Sequence, residues 1–234
     1  MSRKAHRLLL LAFSGLLGAC ATGRGPSEVV TKDTSKSFDT VVVDAGHGGK
    51  DNGAYRKFGG AEKIATLDVA ERLSQKLRAS HMNVVMTRSS DVFISLEERV
   101  AIENAQKNSV FVSVHFNDSR RRGIHGFETY YHSPSSFGLA QRIQANLLTI
   151  PNSANRGVHT ANFRVLRKAK YPAVLVECGF LSNRLEGGEA RDSEYRQQLA
   201  DRIAGAIVEQ RYSGRRTAKS SGGADAATPF INRD

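Results

Sequence analysis

Three apolar runs constrain this chain more than any other feature, because each ends on a residue able to bind a metal or carry a proton. They are Val41-Val42-Val43, leading through Asp44-Ala45-Gly46 to His47; Val110-Phe111-Val112-Ser113-Val114, ending on His115; and Ala173-Val174-Leu175-Val176, ending on Glu177. Short runs of this kind read as strands buried on both faces, and an open α/β sheet gathers its chemistry beyond the carboxyl ends of its strands. Helical patterns separate them. Ile64, Leu67, Ala70, Leu73 and Leu77 recur at helical spacing over residues 63–79, and Ser95-Leu96-Glu97-Glu98 reads as a capped helix start running to about residue 107. Further helices are expected over 136–148 and 194–212, and further strands over 83–87, 127–131 and 163–166. The expectation is an α/β single domain: a mostly parallel twisted sheet of about six strands, helices on both faces, and the site at the strand C-terminal ends.

Two histidines and a glutamate delivered by separate strands look like part of a metal site, with Glu62 a fourth candidate just before a helical stretch. Two His and one Glu around a metal, plus one spare Glu, equip a hydrolytic zinc enzyme. Each residue also has a plainer reading. His47 lies among glycines that shape a turn, His115 sits at a strand end, and Glu62 suits the first turn of a helix. Glu177 is harder to dismiss, since a carboxylate directly after four apolar residues is costly to bury without a partner. His6 lies in the leader and His81 follows a helix, whereas His125, His132 and His159 fall in or beside loops and read as surface residues or as lining of the cleft rather than ligands. The Gly46-His47-Gly48-Gly49-Lys50 loop lacks the spacing and the Lys-Ser/Thr pair of a phosphate-binding loop. Cys178 directly follows an apolar strand and reads as a small buried residue rather than a nucleophile.

A length of 234 residues suits one globular domain. Arg3, Lys4 and Arg7 precede an apolar run over residues 8–17 that is too short to span a bilayer, so residues 1–19 read as a secretory signal. It ends at Leu17-Gly18-Ala19-Cys20, which resembles a bacterial lipobox with Cys20 as the lipidated first mature residue. Residues 20–37 are then a lipidated cysteine and flexible tether, 38–212 the catalytic domain and 213–234 a Ser/Gly-rich tail. Ala21, rather than aspartate, follows the cysteine, which favours an anchor in the outer membrane and a protein facing the periplasm. Removing the leader takes the net charge from +11 to about +8. No nucleic-acid motif is present, so this basic surface points to an anionic wall polymer or lipid head groups instead.

The chain resembles the zinc-dependent N-acetylmuramoyl-L-alanine amidases of the third amidase type over about residues 40–212. The resemblance is carried by residues 43–54, Glu62-Lys63, Thr87-Arg88, Leu96-Glu97-Glu98-Arg99, Val112-Ser113-Val114-His115-Phe116-Asn117, Val165-Leu166-Arg167 and residues 172–183, in that order. It departs at Ile102-Glu103-Asn104, where Ala-Asn is commoner before Ala105, and at His159, where lysine is frequent. The resemblance implies that His47, Glu62 and His115 bind Zn2+, that Glu177 is the catalytic carboxylate, and that the substrate is the muramoyl–L-alanine amide of peptidoglycan. Asn117 is read as a group that orients substrate or as a structural hydrogen-bonding residue, and Arg88 as structural. Between Tyr131 and Ser136 there is no room for the self-blocking helix some relatives carry, and the sequence names no activator protein. Two other functions compete: a zinc peptidase cutting a stem-peptide bond, and a catalytically silent wall-binding lipoprotein.

Overall fold

The strands expected from the apolar runs pair side by side. The structure, a computed structural model, describes residues 31–121 and 123–220. Its main sheet contains β1 (Thr40–Ala45), β4 (Asn83–Met86), β5 (Ser109–Asn117), β6 (Phe127–Tyr131), β7 (Asn155–Thr160) and β8 (Ala173–Phe180), in the order β4-β1-β5-β8-β6-β7. The first four strands of that order run parallel; β6 is antiparallel to β8, and β7 is parallel to β6. A two-stranded ribbon, β2 (Tyr55–Arg56) and β3 (Gly60–Ala61), leads into the first helix, α1 (Glu62–Ala79). The chain leaves β1 through α1 for one side of the sheet, then crosses through α2 (Leu96–Ala105) to β5 on the other. That reversal puts a crevice at the carboxyl ends of β1 and β5, where open sheets bind ligands.

Side chains alternate across these strands, and both faces are apolar. Val41, Val43, Val112, Val114, Val174 and Val176 point into the larger core. It is closed by α1, by α3 (Phe137–Leu147) with Leu139, Ile143 and Leu147, and by α6 (Ser193–Ser220) with Leu199, Ile203 and Ile207. Each such fully buried Leu or Ile contributes about 1.5–3 kcal/mol of transfer free energy. The opposite face packs Val42, Phe111, Ala173 and Leu175 against α2 and the single-turn α4 (Arg164–Arg167). These helices cover it incompletely. The remaining helix, α5 (Arg184–Glu189), follows β8 and is capped by Asn183, whose side chain accepts from the Leu185 and Glu186 amides. Ser95 and Glu98 form the capping box expected at the start of α2.

Four expectations change. Residues 163–166 are helical rather than extended: Arg167 N–H bonds Phe163 O at 2.8 Å, closing one turn that buries Val165 and Leu166. A strand absent from the sequence reading, β7, lies in a polar stretch at the sheet edge. The proposed tether overlaps the folded domain. Lys32 N–H bonds Lys170 O, Thr34 Oγ1 donates to Ser109 O, and Gln210 Nε2 donates to Ser35 O, so residues 32–37 are packed rather than free. The last helix runs to Ser220, eight residues beyond the expected end at Tyr212. The leader, Cys20 and the end of the tail lie outside the described residues.

Candidate metal centre and active site

Three elements bring His47, Glu62 and His115 together. His47 follows β1 on the glycine loop, Glu62 opens α1, and His115 lies near the end of β5; their ligand atoms all lie within 4.8 Å of one another. Glu62 Oε1 lies 3.1 Å from His47 Nε2 and 3.0 Å from His115 Nδ1. Donors bound to one zinc at about 2.0–2.1 Å in tetrahedral geometry are themselves about 3.3 Å apart, so the donor set fits that ion. Among the described residues it is the one such group.

The loop is built around these side chains. A Cβ on Gly46 would meet the His115 ring at 2.3 Å, and one on Gly53 (φ +62°) would meet Glu62 Oε2 at 2.5 Å. His47 itself has a positive φ of 61°, a strained conformation for a residue with a Cβ. Two buried arginines hold it there. Arg88 donates to Ala45 O and Gly46 O; Arg99 donates to Ala45 O and His47 O and pairs with Asp44. Asp44 also accepts from Thr87 Oγ1 and Ser113 Oγ, both at 2.6 Å. Arg88 thus has the structural role expected of it, and the Arg99–Asp44 pair braces the same loop from the other side.

Asp51, which the sequence reading did not single out, accepts from the other side of the His47 ring, with Nδ1 2.9 Å from Oδ2. Such a carboxylate fixes the tautomer that turns Nε2 toward a metal. Its only sequence signal is its position four residues past His47 inside one glycine loop. Glu62 is held in turn by the Ala54 and Phe116 backbone amides at 2.9 and 3.0 Å.

Electrostatics follow from this packing. Burial opposes charge on His47, but hydrogen bonds and charge from Glu62 and Asp51 outweigh it and push the pKa up to about 9. Burial likewise would raise Glu62; His115 and His47 overcome it and hold the carboxyl well below the usual range. Glu177 behaves differently. It stands beside His115 in the β5–β8 register, and its Oε2 is buried with no hydrogen-bond partner. Burial, only partly offset by His115, pushes its pKa up to about 7. Asn117 Nδ2 donates to Glu128 Oε2 at 2.6 Å, so it is committed to a hydrogen bond next to the site. Cys178 is buried and burial pushes its thiol up, as expected of an inert core residue.

A cleft of about 350 Å³ opens from His47, His115 and Glu177 across the thinly covered face. Phe93, Ile94 and Leu96 form one wall, and Phe163 and Val165 the other. The family model for N-acetylmuramoyl-L-alanine amidases matches residues 41–209, which spans every element of this site. The chain belongs to the N-acetylmuramoyl-L-alanine amidase family.

Its amidase relatives include LytC of Bacillus subtilis, 37% identical over 169 residues, covering 70% of this chain but only 34% of that protein. YqiI of the same bacterium is 38% identical over 204 residues, covering 84% of this chain and 94% of YqiI. The N-acetylmuramoyl-L-alanine amidase AmiC2 of Nostoc punctiforme superposes with a TM-score of 0.69 at 37% identity, covering 73% of this chain and 95% of that one. CwlD of Clostridioides difficile, solved in complex with the GerS lipoprotein, gives 0.71 at 29% identity over 74% of this chain and 98% of CwlD. The amidase fold of these neighbours is the six-stranded sheet described above.

Proposed function

We propose that this amidase hydrolyses the bond between muramic acid and L-alanine in peptidoglycan with His47, Glu62 and His115 holding Zn2+ and Glu177 moving the proton. The observation that carries the assignment is the unpartnered, buried Glu177 Oε2 beside a ligand set already braced by Asp51 and two backbone amides. When bound, zinc supplies a Lewis acid and lowers the pKa of a coordinated water toward ~7. Glu177 is placed to accept a proton from the attacking water and to pass it to the departing amine. A carboxyl poised near neutrality suits both halves of that transfer. Asp51 keeps the His47 tautomer fixed, and the Arg88–Arg99 brace keeps the His47 backbone in its strained conformation.

The test compares four variants of the metal-loaded protein, with no partner added. His47→Ala, Glu62→Ala and His115→Ala should each lose zinc and turnover together. Glu177→Gln should keep its zinc while cleavage falls by on the order of 10²–10⁴, the range for a lost general acid/base. Mass analysis of digested wall should find peptide-free glycan and a free L-alanine amine. Release of shorter peptides instead would make the protein a peptidase, and zinc loss in Glu177→Gln would make Glu177 a ligand.

The wall-associated reading of the relatives extends here to a lipid anchor: Cys20 is acylated and holds the enzyme at the outer membrane, facing the periplasm. The lipobox-like Leu17-Gly18-Ala19-Cys20 and the following Ala21 support this. No inserted helix separates β6 from α3, since a single 3-10 turn, Pro134–Ser136, joins them. This supports a site that works without an activator.

A further inference from the structure

The apolar cleft leaves Glu177 on one side; a second cluster, which the hydrolysis as described does not use, flanks it on the other. Glu128 stands directly across the β6–β8 ladder from Glu177, and opposed residues on one sheet face have Cβ atoms about 4.5–5.5 Å apart. The buried Glu128 carboxylate takes three hydrogen bonds, from Asn117 Nδ2 at 2.6 Å, Tyr130 Oη at 2.9 Å and Arg156 Nε at 2.7 Å.

Arg156 owes its position to an irregularity in the edge strand. Phe127 pairs with Asn155 and Glu128 with Gly157, so Arg156 is the extra residue of a β-bulge. Bulges are used beside active sites to re-aim a side chain that a regular ladder would point elsewhere. The guanidinium is then fixed twice, through Nε by Glu128 and through its face by the Phe180 ring at 5.2 Å. Its side chain remains 36% exposed, and among the described residues its two Nη groups make no hydrogen bond. A guanidinium held at Nε and over one face, with its outer edge free, is a pre-organised fork for a planar anion.

The two sides of Glu177 thus differ in chemistry. One offers exposed Phe93 and Phe163, and its Arg164 is tied to Glu97 at 2.6 Å across the rim. The other offers a free guanidinium edge. The substrate is equally two-sided: a neutral N-acetylated glycan joined through the scissile amide to a peptide bearing free carboxylates. We propose that Arg156 is a substrate-binding residue whose Nη edge takes the free carboxylate of the second stem-peptide residue, setting which way round the substrate lies across Glu177. This rests on the amidase reading of the site.

The test uses the full-length, metal-loaded protein and two soluble disaccharide-peptides that differ only in the second peptide residue, its carboxyl free or converted to a carboxamide. Wild type should show a KM at least about tenfold lower for the free acid at similar kcat, the worth of one charge-assisted hydrogen bond. Arg156→Gln should raise the free-acid KM about tenfold, with a much smaller change on the carboxamide, and Arg156→Lys should recover part of the loss. Equal KM for both substrates in wild type overturns the proposal, and that comparison needs no variant. So does an Arg156→Gln that loses kcat equally on both, which is the mark of a merely structural arginine. Titration calorimetry with the two released peptides repeats the comparison without turnover. Discrimination there in a protein that cuts neither substrate would sink the amidase mechanism and leave this inference standing; no discrimination there overturns it.

Discussion

Glu103 shows what a single residue can cost a fold. It lies fully buried on α2, and neither carboxylate oxygen has a hydrogen-bond partner. Burial pushes its pKa from 4.5 up to about 8, and the nearby Lys170 charge offsets only part of the effect. The folded protein therefore keeps this proton to about pH 8, whereas the unfolded chain releases it near 4.5. Between those values the unfolded state binds fewer protons, so stability falls as pH rises, by about 1.4 kcal/mol per pH unit, and levels off above pH 8. Glu103→Gln removes the titration. Its stability relative to wild type should rise by more than about 2 kcal/mol between pH 5 and pH 8, read by urea unfolding at both values. A difference that does not change with pH would show that Glu103 is already solvated or paired. At this scale the sequence was legible where chemistry met burial: His47, His115 and Glu177 stand out because apolar strands run straight into them. Asp51 and Arg156 did not stand out, because a carboxylate in a glycine loop and an arginine in a polar edge strand have no apolar frame around them.

Among the elements, the β1–α1 loop depends most on support from elsewhere. Its carbonyls at Ala45, Gly46 and His47 point inward and are taken by Arg88 and Arg99, which arrive from the end of β4 and from α2. A lysine at 99 keeps the charge near Asp44 but cannot fork to two carbonyls as well. Arg99→Lys should cost on the order of 3 kcal/mol in urea unfolding and should also weaken zinc retention, because His47 loses its backbone anchor. Arg72→Lys, in the half-exposed pair with Asp68, should cost under about 1 kcal/mol and leave zinc retention intact. Equal costs for the two would remove the special role of the buried brace. The same elements mark the limit of pattern reading. The α1 and α2 helices were found from spacing and from the Ser95–Glu98 box, whereas α4 is one turn, too short for a helical period to distinguish it from a strand. The β7 strand has an exposed, mixed pattern because it lies at the sheet edge and has no second neighbour to bury it.

Taken as a whole, the molecule couples a basic catalytic domain to an N-terminal segment whose lipobox-like end supplies the membrane reading. Residues 32–37 belong to the domain, so any tether from Cys20 is about eleven residues, extending at most ~40 Å. Cys20→Ser should move the protein from the membrane to the soluble fraction or leave it unprocessed; unchanged fractionation and lipid labelling would end the anchor hypothesis. The fold class was legible from alternation alone, since strands buried on both faces demand helices above and below. The unequal cover of those faces was not, because sequence periodicity says that a helix is amphipathic and not how much sheet it shields. That inequality has a mechanical consequence. A cross-linked mesh cannot be drawn into a deep pocket or threaded through a tunnel; an enzyme must press a shallow opening against it. With three helices behind the sheet and only two short ones in front, this molecule carries most of its bulk behind the site and opens its cleft on the thinner side. Such a shape suits bonds in the middle of an intact net, where there is no loose end to thread.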